Sequence, residues 1–92
     1  MIRSFRHKGL RRFFETGDTS GIDAAFAAKL RRQLTLLNES SGPNDMNTPN
    51  YRLHALKGGR KGQWAVWVSA NWRLVFEFEE SSAINVDLTD YH

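Results

Sequence analysis

The 92-residue chain contains no cysteine and only two prolines. No disulfide can therefore cross-link the fold, and no thiolate is available to bind zinc or to attack a substrate. Long apolar runs are also missing, which excludes a membrane-spanning helix of about 20 residues. Residues 1–5 include a basic side chain but no apolar stretch, so we expect no signal peptide and a cytoplasmic location. At this length we expect a single domain over residues 1–92.

Basic and acidic residues are unevenly distributed along the chain. Residues 1–73 carry all 13 Lys and Arg but only five acidic residues, which gives +8. Residues 74–92 carry five acidic residues and no Lys or Arg, which gives −5. The basic part could attract nucleic acid through contacts with phosphates. A basic surface without any partner explains the charge equally well.

The first half of the chain shows helical spacing of apolar residues. Leu10, Phe13 and Phe14 predict a helix over residues 8–16, with a stop at Gly17. Asp23 is the predicted N-cap of a second helix that ends at residues 40–43. One face of this helix carries the residues Phe26, Ala27, Leu30, Leu34 and Leu37, whereas Lys29, Arg31 and Arg32 lie mainly outward.

From residue 51 onward, apolar residues alternate with polar ones, which is typical of strands with one buried face. The predicted buried positions are Leu53, Ala55, Trp64, Val66, Val68, Trp72, Leu74, Phe76, Phe78, Ile84, Val86 and Leu88. Tight turns are predicted at residues 69–71 and 79–82, and residues 2–5 could form a further short strand. The pattern predicts an α+β fold, with two N-terminal helices on one face of a mainly antiparallel sheet of four or five strands.

Strand alternation predicts a basic surface on the face of the sheet that the helices leave open. Arg52, His54 and Arg73 should lie there, with Lys57 nearby and Arg60 in the glycine-rich connection at residues 57–62. RNA carries its own nucleophile, the 2′-hydroxyl, so cutting it requires a base, an acid and cations for the phosphorane charge. His54 and His92 could supply the acid and the base, and the basic side chains could stabilise the charge.

Each of these residues also has a purely structural explanation. A strand histidine such as His54 is more often a surface residue than a catalyst, and His92 could be frayed. The three histidines lie far apart in the sequence, so the sequence gives little support for a metal site. We expect no metal ion and no cofactor.

Five sequence blocks, in order, resemble HigB toxins, the plasmid maintenance killer branch of the RelE superfamily. They are IRSFRHKGL at residues 2–10, YRLHALKG at 51–58, GQWAV at 62–66, NWRLVF at 71–76 and DYH at 90–92. Together the blocks span nearly the whole chain. One departure is Ala55, where many members of this family have proline after the histidine.

The resemblance implies a RelE-like fold and a ribosome-dependent endoribonuclease that cuts mRNA in the decoding site of the 30S subunit. His54, Asp90, Tyr91 and His92 match the family's catalytic group. Lys57 and Arg73 match positions that hold phosphate, and Arg52 and Arg60 complete our candidates for substrate binding. The resemblance also implies a HigA-like helix-turn-helix antitoxin, through which alone the toxin would reach operator DNA.

Two other classes of function remain as alternatives. The related ParE branch inhibits DNA gyrase, so a non-enzymatic inhibitor of gyrase or of another protein is the main rival. The histidine pair and the Asp-Tyr-His ending favour the nuclease. A passive RNA-binding module is less favoured, because no aromatic-rich stacking platform such as an RRM signature occurs.

Overall fold

The computed structural model describes residues 1–60 and 62–90, without the side chain of Arg60. The fold is α+β, with a four-stranded, fully antiparallel sheet in the order β1-β2-β3-β4. Three short 3₁₀ turns lie at Ala24–Phe26, Pro43–Met46 and Gly58–Arg60. The helices are α1 (Lys8–Thr16) and α2 (Ala27–Glu39), and the strands are β1 (His54–Ala55), β2 (Trp64–Ser69), β3 (Trp72–Glu79) and β4 (Ser82–Asp90).

Helix α1 has the predicted bounds, and local hydrogen bonds fix both of its ends. Nδ1 of His7 accepts a hydrogen bond from the Leu10 amide at 2.9 Å. Gly17 adopts a left-handed conformation, with φ 83°, and donates its N–H to the Phe13 carbonyl. Glycine permits this conformation without steric cost. The helix buries Leu10 and Phe13 against the rest of the core.

Helix α2 follows a capped 3₁₀ turn. The Asp23 carboxylate accepts from the Ala25 amide at 2.9 Å, so Asp23 is a cap as predicted, but the first turn after it is 3₁₀. The chain then continues as α-helix to Glu39, where the predicted break at Ser40 is confirmed. Leu30, Leu34 and Leu37 of this helix are buried.

Both predicted hairpin turns are present. The β2–β3 turn contains Ala70 with φ 50°, and the β3–β4 turn contains Glu80 and Ser81 with φ 50° and 71°. In the β3–β4 turn, the two consecutive residues with positive φ match the backbone twist that antiparallel strands require in a tight turn. These turns place β2, β3 and β4 side by side.

The strand predicted from residue 51 is much shorter than expected. Only His54 and Ala55 pair with β2, because Arg52 has a left-handed backbone, φ 52°, which interrupts extended structure. Leu53 packs against the main core as predicted, but Ala55 is exposed. The prediction of Ala55 as a buried residue is therefore wrong.

A bulge in β4 overturns the predicted role of Ile84. Glu77 pairs with Ile84 and Val75 pairs with Asp87, so β4 has one residue more than β3 in this interval. Asn85, with φ 53°, lies within this bulge. The extra residue shifts the alternation by one position, so that Ala83 joins Val86 in the main core in place of Ile84.

The N-terminal segment adds two bridges to the sheet but no regular fifth strand. Ile2 and Phe5 form isolated parallel bridges to Ala83 and Val86 of β4. Four backbone hydrogen bonds of 2.8–3.1 Å join residues 1–6 to these two residues of β4. The free edge of β4 is therefore partly covered.

Two apolar clusters lie on opposite faces of the sheet. The main cluster contains the buried residues of α1 and α2 together with Val66, Val68, Leu74 and Phe76. The second contains only Leu56, Ala65 and Val75, and neither helix contributes to it. We call the face that carries the second cluster the open face. Among the described residues, no helix has the length and apolar character needed to cross a membrane.

Candidate functional site

Pairing across the strands places the candidate histidine on the open face. His54 pairs with Ala65, Ala65 with Val75, and Val75 with Asp87. Directly paired residues of antiparallel strands project on the same side, so His54 shares its face with the small apolar cluster. The adjacent row contains Trp67, Arg73 and Thr89.

The His54 ring has a defined hydrogen-bond partner. Its Nδ1 atom lies 3.0 Å from the carbonyl oxygen of Arg52, and the side chain is exposed. A carbonyl oxygen only accepts, so Nδ1 must carry the proton in this contact. In the neutral ring, Nε2 then keeps its lone pair and can accept a proton from a substrate hydroxyl.

Arg52 holds this carbonyl in place from an unusual backbone conformation. Its φ of 52° is uncommon for a residue other than glycine, asparagine or aspartate. The guanidinium carbon lies 4.6 Å from the centre of the Trp67 ring, and the backbone N–H of Trp67 donates to the Tyr51 carbonyl at 2.7 Å. Trp67 therefore contacts both Tyr51 and Arg52, the residues that lie shortly before His54.

The other candidate cations lie at different positions around the open face. Arg73 is half-buried, and its Nη1 atom donates to the carbonyl oxygens of Ala70 and Trp72 at 3.2 and 3.1 Å. Its guanidinium therefore lies against the β2–β3 turn. Lys57 is exposed, three residues after His54. The side chain of Arg60 lies outside the described part of the chain.

The predicted C-terminal members of the catalytic group are only partly described. Asp90 is exposed and pairs with Trp72, which packs on the main core. The register therefore puts Asp90 on the helix-covered side of β4, three residues beyond the row that contains His54. Tyr91 and His92 lie outside the described residues.

Acidic side chains of β3 and β4 also lie on the open face. Asp87 ends the row that begins at His54, about 14 Å away across three strand spacings. Glu77 accepts hydrogen bonds of 3.3 Å from Gln63 and Asn85. The acidic side chains of the open face therefore belong to β3 and β4, whereas Arg52 and Lys57 flank β1.

One feature missed from the sequence is the surrounding of Trp67. Nζ of Lys29 lies 4.0 Å from the centre of the Trp67 ring. Partial burial lowers the pKa of Lys29, and the charges of Arg32 and Arg52 lower it further. The available signal was an aromatic residue at an outward position of a strand, opposite outward cations of α2.

The part of the chain that the structure describes contains no group of three or more His, Asp or Glu residues close enough to hold a metal ion. The open face offers the exposed imidazole of His54, whose Nε2 can accept a proton, and basic side chains lie at other positions around the same face. Such a site can accept a proton beside a bound anion.

The fold and this site define a small basic α+β domain with an exposed imidazole on its open face, and the comparisons with known proteins identify its family. The sequence model of the HigB-like toxins, RelE-like toxins of type II toxin-antitoxin systems, matches residues 3–92. The Endoribonuclease HigB of Proteus vulgaris is 40% identical over 92 residues, with full coverage of both chains. Toxin HigB-1 of Vibrio cholerae is 28% identical over 90 residues, covering 96% of this chain and 95% of that protein.

A solved structure supports the fold independently. A copper-bound mutant toxin from Helicobacter pylori superimposes with a TM-score of 0.56 at 21% identity, covering 98% of this chain and 94% of that one. The chain therefore belongs to the HigB-like toxin family of type II toxin-antitoxin systems. Membership in this family implies an antitoxin partner.

Proposed function

We propose that this toxin is an endoribonuclease that cuts mRNA on the ribosome by attack of the RNA 2′-hydroxyl, without a metal ion. The geometry of His54 carries this proposal. The ring is exposed on the open face, and its Nδ1 contact with Arg52 leaves Nε2 as a proton acceptor. The 40% identity to a protein named Endoribonuclease HigB supports the same activity.

In the proposed reaction, His54 is the base. Nε2 takes the proton of the 2′-hydroxyl, the 2′-oxygen attacks the adjacent phosphorus, and the bond from phosphorus to the 5′-oxygen breaks. His92 donates a proton to the departing 5′-oxygen. Asp90 orients the imidazole of His92, and Tyr91 stacks on a nucleobase of the RNA. The products are a 2′,3′-cyclic phosphate and a 5′-hydroxyl. Cations aimed at the phosphorane stabilise the charge that develops there, and the candidates are Lys57, Arg60 and Arg73. Arg52 is a candidate for binding the substrate RNA.

The family also suggests the cellular setting. We propose a cytoplasmic protein that acts at the 30S decoding site. Its antitoxin would be a HigA-like helix-turn-helix protein, and the toxin would meet operator DNA only through this partner. The excess of basic residues in residues 1–73 is consistent with a target made of RNA.

Purified ribosomes translating a defined mRNA provide the test. Mapping of RNA ends with and without the toxin should show cuts only during translation, with 2′,3′-cyclic phosphate ends. Ends with a 3′-hydroxyl and a 5′-phosphate would contradict the mechanism. Intact mRNA together with inhibited DNA gyrase in a parallel supercoiling assay would contradict the function.

A further inference from the structure

Two cations lie over one indole ring at the edge of the open face, and a third lies one helical turn along α2 from the first of them. Lys29 and Arg32 come from α2, Arg52 precedes β1, and Trp67 belongs to β2. We call these four side chains the Trp67 corner. Lys29 and Arg52 both lie over the ring, at 4.0 and 4.6 Å from its centre. Arg32 lies close enough to Lys29 for its charge to disfavour protonation of the amine.

The Trp67 corner concentrates positive charge without a matching anion. Within residues 1–60 and 62–90, neither Lys29, Arg32 nor Arg52 forms an ion pair with a carboxylate. Like charges held together repel one another, and a bound anion would relieve that repulsion. Arg32 and Arg52 are also exposed, so an anion can reach them from solvent.

The backbone of Trp67 fixes the corner before any ligand arrives. Its carbonyl accepts from Nε2 of the buried Gln33 at 2.9 Å, which ties β2 to α2. Its N–H donates to the Tyr51 carbonyl at 2.7 Å, which ties β2 to the segment that carries Arg52. Cations held on a rigid scaffold lose little conformational freedom on binding.

We propose that Lys29, Arg32 and Arg52 bind a phosphate of the substrate RNA that neighbours the phosphate being cut. This inference rests on the proposed function. Trp67 lies two residues along β2 from Ala65, the pairing partner of His54, which corresponds to about 7 Å. Glu77 of β3 contacts Gln63, just before β2 and on the side of Ala65 away from Trp67, and Asp87 lies on β4. Both carboxylates repel the RNA backbone, so the RNA that leaves His54 is directed towards the Trp67 corner.

Neutral phosphate analogues provide a sharp test. An RNA oligonucleotide spanning the mapped cut is made with a 2′-O-methyl group at the cut, which blocks the nucleophile. Single methylphosphonates then remove the charge of one phosphate at a time, and binding is followed by fluorescence anisotropy at several salt concentrations. We expect one methylphosphonate beside the cut to weaken binding by wild type several-fold. The double variant Lys29→Gln/Arg32→Gln should be insensitive to that same substitution.

A charge-matched control separates the site from general attraction. Lys8→Gln/Arg12→Gln removes the same charge from the exposed side of α1 and should keep the wild-type sensitivity. Loss of one contact with single-stranded RNA should reduce the slope of log affinity against log salt by about 0.7. If both double variants respond to every methylphosphonate as wild type does, or if wild type does not bind the oligonucleotide, the phosphate site is wrong.

The cleavage assay distinguishes this failure from failure of the proposed function. Ribosome-dependent cuts with cyclic phosphate ends, combined with a Lys29→Gln/Arg32→Gln variant that keeps the wild-type methylphosphonate sensitivity, would reject the Trp67 corner and leave the endoribonuclease standing. Absence of cutting by wild type would reject the endoribonuclease itself. Equal unfolding midpoints of the two double variants establish that both are compared in the folded state.

Discussion

The Nζ atom of Lys29 lies 4.0 Å from the centre of the Trp67 ring, yet its surroundings lower the pKa of this amine. Contact with the ring favours the charged form. Partial burial, followed by the charges of Arg32 and Arg52, disfavours it. Burial and repulsion between the cations therefore act on Lys29 in the opposite direction to its contact with the ring.

Removing a neighbouring charge should therefore raise the pKa of Lys29. We expect this for Arg52→Gln and not for Arg12→Gln, as measured by NMR titration of the lysine side chain. Because the folded pKa lies below the unfolded value of 10.5, the unfolded chain binds more protons between the two values. Stability should rise with pH over that window, and the Lys29→Met variant should lack this rise. An unchanged Lys29 pKa in Arg52→Gln would contradict the assignment.

The aromatic character of Trp67 should matter for cutting as well as its size. Trp67→Leu removes the ring that holds Lys29 and Arg52, so we expect cleavage to fall roughly two- to fivefold, from about 0.5–1 kcal/mol of cation–π interaction. Trp67→Phe keeps a ring and should lose less. Rates on translating ribosomes would show the order wild type, phenylalanine, leucine. Equal rates for the two variants would mean that the ring has no such role.

Alanine at His54 should reduce cleavage without reducing stability, whereas alanine at His7 should reduce stability without abolishing cleavage. His54→Ala should reduce cleavage on the order of 10²–10⁴-fold, since it removes the proposed base, and should unfold at the wild-type urea midpoint because the side chain is exposed. His7→Ala should lose about 1 kcal/mol of stability, because Nδ1 of His7 caps α1, and should still cut. Full activity of folded His54→Ala would end its assignment as the base.

Helix α1 and the loop that precedes α2 approach each other closely because both have glycine at the contact. A Cβ atom at Gly9 would overlap the backbone of Gly21, whereas one at Gly42 would meet nothing within 4 Å. Alanine is a better helix former than glycine by up to about 1 kcal/mol, but the backbone of Gly21 cannot move away as a side chain could. We expect Gly9→Ala to destabilise by about 1–3 kcal/mol and Gly42→Ala to change little. Urea unfolding of the pair would test this, and equal stability would contradict it.

Burial of Gln33 predicts a pH-dependent defect. Its side chain is fully buried, and its Nε2 donates to the Trp67 carbonyl. In Gln33→Glu the protonated acid can replace that donor, but ionisation would bury a charge, so the folded pKa should lie above the unfolded value of about 4.3. Stability of Gln33→Glu should therefore fall as pH rises above about 4.

Gln33→Leu is the matched control for this pH dependence. It leaves the Trp67 carbonyl unpaired, at a cost of about 1–3 kcal/mol that does not vary over this range of pH. Parallel stability curves for the glutamate and leucine variants between pH 4 and 7 would exclude the buried-charge explanation.

Periodicity predicted the regular elements well, because apolar spacing decides which face of a helix or strand is buried. The bounds of α1, the break after α2, both hairpin turns and the open-face position of His54 followed from it. It failed where one backbone angle decides the outcome. Arg52 and Asn85 both adopt positive φ, and nothing in an alternating pattern signals a left-handed residue.

The Trp67 corner could not be predicted for a different reason. Lys29 and Arg32 belong to α2, whereas Trp67 belongs to β2, and the meeting of a helix face with a strand edge depends on packing. Within α2 alone, both cations are typical of an outward, solvated face. The buried hydrogen bond from Gln33 to Trp67 fixes the register between the two elements, and only the structure shows that bond.

The pairing of residues 1–6 with β4 has a consequence for synthesis of the toxin. The amide of Arg3 donates to the carbonyl of Ala83, and that of Arg6 donates to the carbonyl of Val86. A ribosome makes Arg3 and Arg6 long before it makes their partners, and contacts between such distant residues form late in folding. The nascent chain thus cannot close this edge of the sheet until β4 has left the exit tunnel. Each newly made toxin molecule is therefore incompletely folded while it is still attached to a ribosome, the proposed site of its action.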